Sequence, residues 1–99
     1  MRTDAIVRIR FLTTNEGGRT RPVSGKWFGC PLFAGSRGFD CRLLLDGATI
    51  ALGEWHDLPV AFLSPDLAFQ ELGPGSEIAL WEGKTVATGT VVKVFPDGA

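Results

Sequence analysis

The stretch WEGKTVATGTVVKV, residues 81–94, decides how the chain is read, because it contains Gly83-Lys84-Thr85, the letters that close a phosphate-binding loop. Such a loop needs a glycine five residues before Gly83, so that successive backbone N–H groups wrap the phosphates between a strand and a helix. Ile78 stands there instead. The residues after Thr85 alternate and are rich in β-branched side chains, so no helix starts there to aim its positive end at an anion. The same letters make a hairpin. Glu82-Gly83 links EIALW (77–81) to TVATGTVVKV (85–94), with Gly83 supplying the positive φ of a tight turn. Gly89, inside the last strand, is expected to mark a bend or bulge at a barrel corner. No nucleotide is expected to bind.

Outward from this hairpin, strand signals dominate. In DAIVRIRFLTT (4–14), Ala5, Val7, Ile9 and Phe11 alternate with Ile6, Arg8, Arg10 and Leu12, the period-two pattern of a strand with one buried face. Its end is expected at NEGGR (15–19), where Asn15, Gly17 and Gly18 form turns. Further strands are predicted at WFGCPLFA (27–34), FDCRLLL (39–45) and LPVAFL (58–63). The joints between them are RPVSGK (21–26), GSRG (35–38), Asp46-Gly47 and GPGS (73–76). SPDLAFQEL (64–72) offers Ser64 as N-cap, Pro65 at the first helical position and Asp66 in the first turn, which predicts one short helical turn. About six short strands imply one all-β domain over residues 1–99, an antiparallel barrel or sandwich. The three residues after Pro96 are expected to fray.

A chain of 99 residues with 44% hydrophobic residues, three Trp and seven Phe has enough apolar surface for one core without a metal or disulfide. The net charge of −1 is unevenly placed: up to Arg42 there are eight Lys and Arg against three acids, and beyond it two against eight. The split can make one surface attractive to phosphates. Folding that interleaves the halves and pairs their charges is the favoured expectation. MRTDAIVRIR lacks the apolar run of a signal peptide, and LPVAFL is too short to span a bilayer, so a cytoplasmic protein with Cys30 and Cys41 as buried free thiols is expected.

The chemistry-bearing residues are sparse. A zinc site from Cys30, Cys41 and His56 lacks the paired close spacing of such sites, and neither metal nor cofactor is expected. His56 with Asp57 and Glu54 would be an acid–base cluster only if that segment is not extended, since strand neighbours point to opposite faces. Trp27, Phe28 and Phe33 interleave with Lys26 and Arg37, a composition able to stack bases. Strand packing accounts for most of these aromatics, and exposure of Trp27 or Trp55 would reopen the base-stacking reading.

Taken together, the first strand with EGGR (16–19) and Pro22, the Gly53-Glu54 turn leading to Pro65, and the closing IALWEGKTVATGTVVKV (78–94) resemble the third, C-terminal β-barrel domain of elongation factor Tu. The resemblance covers nearly the whole chain in the same order and implies a small closed antiparallel barrel with at most one short helical turn. In that family the barrel is not catalytic; it packs against the GTPase domain, a second barrel, the exchange factor and the T-stem of aminoacyl-tRNA. By this resemblance Arg19, Thr20, Glu82 and Gly83 mark an RNA or partner contact; the basic first half separately offers Arg21 and Lys26 as a basic patch. Thr20 stands where a histidine usually follows the arginine, Trp81 replaces the arginine before the closing turn, KWFGCPLF departs from an Arg-Pro-Gln stretch, and FQELGPGS is longer than its counterpart. These departures fall on contact surfaces more than on the scaffold. The expected function is therefore a non-enzymatic module that binds a protein partner. An RNA-binding module meeting tRNA through its basic first half, and a small enzyme built around His56, are the alternatives. A barrel surface that no other domain covers could also self-associate.

Overall fold

The computed structural model describes residues 2–97. Of the chain end expected to fray, Gly98 and Ala99 lie outside the described residues. The alternation in the first strand, β1 (Ala5–Phe11), sends Ala5, Val7, Ile9 and Phe11 fully inside. The other strands are β2 (Trp27–Ala34), β3 (Arg37–Leu44), β4 (Trp55–Phe62), β5 (Glu77–Trp81) and β6 (Thr85–Val94). They close into a six-stranded antiparallel barrel in the order β1-β4-β3-β2-β5-β6. Val7, Ile9, Phe11, Leu32, Leu43, Val60, Leu80, Val86 and Val91 fill its interior, and Phe11 meets Phe28 edge to face at 6.0 Å. Each large side chain buried in this way contributes about 1.5 to 3 kcal/mol.

The closing hairpin forms as its letters predict. Gly83 has φ 72°, and β6 rather than a helix begins at Thr85. Gly89 has a different role from the one expected. The β5–β6 and β1–β6 registers run evenly through it, and their irregularities fall at Leu80/Trp81 and Ile6/Val7. What excludes a side chain is contact: a Cβ at position 89 would lie 1.9 Å from the Arg8 carbonyl oxygen.

Several boundaries move. The second hairpin turns on Gly35-Ser36 alone, so Arg37 and Gly38 join β3, and a Cβ at Gly38 would strike the Phe33 ring at 2.8 Å. Strand β4 starts at Trp55 instead of Leu58, because its first three residues pair with Arg10, Ile9 and Arg8 of β1. Helix α1 (Pro65–Glu71) has about two turns rather than one. It is anchored by buried Ala68 and by Phe69, which meets Phe62 edge to face at 6.4 Å. Ser64 holds the N-cap position, but its side chain makes no cap hydrogen bond. A 3-10 turn at Thr14–Glu16 precedes the glycine pair.

Asp4 ties the barrel's seams. It is only 2% exposed, its N–H donates to Val60 O at 2.8 Å, and its own carbonyl accepts from Phe95 N–H at 2.8 Å. Its carboxylate Oδ2 accepts from Phe62 N–H at 2.9 Å, while Arg2 Nε stands 3.3 Å from Oδ1.

Candidate functional site

Strands β1, β3 and β5 run toward one pole of the barrel, where β2, β4 and β6 begin. Three loops therefore meet at that pole: residues 12–26, 45–54 and 82–84. Every residue singled out from the sequence as a contact, Arg19, Thr20, Arg21, Lys26, Glu82 and Gly83, belongs to one of them. The tryptophans stand at the edges of these loops. Trp27 opens β2, Trp55 opens β4 and Trp81 closes β5, with 45%, 61% and 43% of their surface exposed.

The glycine-arginine turn is held from below. Gly17 has φ 85°, and Gly18 lies so close to Leu12 that a Cβ would stand 2.1 Å from its carbonyl oxygen. Glu16 Oε1 accepts from Thr13 N–H at 2.8 Å and from Thr13 Oγ1 at 3.0 Å, and Arg10 joins the same carboxylate at 3.0 Å. The Thr13 amide first and the Arg10 guanidinium next hold the Glu16 carboxyl at about 2, below its ordinary 4.5. A depressed carboxylate stabilises the fold above its unfolded value and ceases to do so as the pH falls through its folded one. The turn is therefore expected to loosen between about pH 4.5 and pH 2, before the barrel itself opens. Amide hydrogen exchange at Gly17 and Gly18, followed against pH, checks this; protection unchanged down to pH 2 would refute it.

Arg19 and Glu82, 63 residues apart in sequence, form an ion pair across the pole. The Arg19 guanidinium also lies 5.1 Å from the centre of the Phe28 ring, and its Nε donates to Arg21 O at 3.3 Å. With Gly18, Thr20, Arg21 and Lys84 the pair lines an open cleft of about 330 Å³. The structure thus brings Arg19, Thr20, Arg21 and Glu82 together, while Lys26 sits in a separate hollow with Trp27, Leu44 and Asp46. Because Arg19 is engaged on two sides, Arg21 and Lys84 are the cations of the cleft without an ion-pair partner among the described residues.

Folding evens out part of the uneven charge of the sequence. Arg8–Asp57 at 2.8 Å, Arg37–Glu71 at 2.9 Å, and the Arg19–Glu82 pair each join a base of the first half to an acid of the second. Such exposed pairs contribute little stability, about 0.2 to 1 kcal/mol apiece, and they leave Arg21, Lys26 and Arg42 of the first half without an ion-pair partner among the described residues.

The His56 cluster does not assemble as a converging set. Since β4 begins at Trp55, His56 and Asp57 point to opposite faces. Asp57 is gripped by both nitrogens of Arg8 on the outside, which holds its carboxyl below the usual range. His56 is half-buried, and its Nε2 has no hydrogen-bond partner among the described residues. Cys30 and Cys41 are free thiols directly opposite each other on β2 and β3, with Cys41 Sγ donating to Cys30 O at 3.2 Å. The facing Cys30 thiol, and then burial, push the Cys41 thiol above the usual range, which disfavours its thiolate.

The feature that the sequence reveals only in part lies on the outside of β2. Alternation turns Trp27, Gly29, Pro31 and Phe33 outward, and none of them is charged. Phe33 meets Trp81 of β5 edge to face at 6.2 Å, Trp27 lies over Gly29, and Arg42 of β3 stacks on Trp27 at 4.2 Å. The signal was present, because WFGCPLFA has no polar residue on either face, whereas an antiparallel strand with one wet face should alternate.

Next to this strip the ladder between β2 and β5 is short, with Leu32↔Leu80 and Phe33↔Ala79 as its partners. The next position would set Pro31 against Trp81, and proline has no N–H to donate. Lys26 O accepts from Leu45 N–H at 2.9 Å, which fixes the alternation: Phe28 and Cys30 bond toward β3, and Trp27 and Gly29 turn their main-chain groups the other way. Among the described residues no strand or loop backbone bonds them there. No protein-family model and no curated protein matches the chain.

Proposed function

We propose that this barrel is a non-catalytic binding module akin to the third domain of elongation factor Tu, and that it holds a protein partner through its loop pole and the adjoining outer face of β2 and β5. The observation that carries this reading is the strip Trp27, Phe33 and Trp81 on neighbouring strands, in which both tryptophans are exposed and half-buried Phe33 meets Trp81 edge to face. Aromatic side chains of this kind dominate the centres of protein interfaces, where each buries a large area at low entropic cost. An RNA-binding role draws less support, because Arg19 is already engaged by Glu82 and the bases Arg21 and Lys26, unpaired among the described residues, line separate hollows.

The test is capture from nuclease-treated native extract by the immobilised full chain. A specific protein should be retained, and the doubly substituted variant Trp27→Ala/Trp81→Ala should retain at least about tenfold less, in line with aromatic hot spots elsewhere. Both residues are exposed, so circular dichroism should show the variant folded. Equal capture by both proteins, or retention of tRNA alone from untreated extract, would overturn the proposal.

A further inference from the structure

We infer that the partner binds as an extended, acidic segment that adds a strand to the free edge of β2 at Trp27 and Gly29. This rests on the reading of the barrel as a protein-binding module and specifies what the partner presents. A closed barrel normally has no free edge, which protects it from pairing with other chains. Here the β2–β5 ladder ends where Pro31 of β2 and the last residue of β5, Trp81, come opposite each other, and two N–H and two C=O groups of Trp27 and Gly29 face outward past its end. Gly29 is exposed and has no side chain to shield its backbone. An extended peptide satisfies such groups by main-chain hydrogen bonds, and alternate side chains then read the flanking surface.

That surface states the chemistry of the peptide. On the outer side stand Trp27, Phe33 and Trp81, which take apolar side chains at every second position. Around them Arg21, Lys26, Arg42 and Lys84 have no ion-pair partner among the described residues, against the acids Asp40 and Asp46. Glu82, the remaining acid nearby, is neutralised by Arg19. The surplus of base favours a segment bearing carboxylates beside its apolar residues. Arg19, lying between the Phe28 ring and Glu82, braces the gap from the loop side.

The test uses the full chain and a labelled twelve-residue peptide of alternating valine and glutamate, with binding read by fluorescence anisotropy. Saturable binding that weakens with salt is expected, together with a shifted Gly29 amide resonance. The same peptide methylated on alternate backbone nitrogens should bind at least about tenfold more weakly, since it loses donors that a strand needs. Gly29→Pro should weaken binding of the unmodified peptide by a similar factor; the methylated peptide decides the matter if that variant fails to fold. Absence of binding, or equal binding of the methylated and unmodified peptides, overturns the strand-addition inference. So does self-association of the chain that hides the Gly29 amide. None of these outcomes touches capture of a partner through Trp27 and Trp81, which would survive if a folded surface instead of a strand is recognised.

Discussion

Gly89→Ala is expected to be the most damaging small substitution in the chain, lowering stability by about 3 kcal/mol or more, at the upper end of overpacking costs. A methyl group there would sit 1.9 Å from the Arg8 carbonyl oxygen and 2.8 Å from the Ile9 Cα. Both are backbone atoms in the middle of the β1–β6 ladder, where Arg8 pairs with Thr90 and Ile9 with Gly89. A flexible side chain could step aside; these atoms cannot move without parting two strands. Gly83→Ala is the useful contrast. Its neighbourhood is empty, so only the positive φ of 72° opposes a side chain, at about 1 kcal/mol. Urea denaturation of both variants measures the difference. Equal midpoints would mean that β6 does not approach β1 as closely as described.

The second large effect is expected at Asp4. Replacement by alanine removes the acceptor of the Phe62 N–H in a site that water does not reach, and should cost about 2 to 3 kcal/mol, the range for a charged hydrogen bond whose partner is left buried. Asp4→Asn keeps an oxygen in the same place and should recover a large part of that loss. Denaturant midpoints of the two variants provide the measurement. An alanine variant as stable as the parent would show that Phe62 finds another partner.

The scaffold was legible because its signals are local. Period-two burial in β1 and the glycine turn before Thr85 depend on residues within a few positions of each other. Where charges open a strand, as in Trp55-His56-Asp57, the pattern was hidden, since pairing with β1 rather than composition makes those residues extended. Gly89 was noticed but misread, because nothing near it in sequence announces the Arg8 carbonyl. Arg19 and Glu82 were singled out by resemblance, and the fold unites them across 63 residues. That they pair with each other, and so cancel each other's charge, is a fact of the third dimension. The aromatic strip was half visible: Trp27 and Phe33 were noted as stacking candidates, but their link to Trp81 needs the β2–β5 register. The free edge depends on where Pro31 falls in that register, which no local pattern contains.

One consequence follows from the seam between β1 and β6. The first and last strands of the chain are ladder partners, and Arg2 and Phe95 fasten the same join through Pro96 and Asp4. Cylinder closure is therefore the event with the greatest separation along the polypeptide, and such distant pairing is slow to nucleate. During synthesis β1 must wait, unzipped along one flank, until the final ten-residue strand has left the ribosome. Chaperones would meet the nascent molecule in that interval, and the hydrophobic inner row of β1 is what they would find.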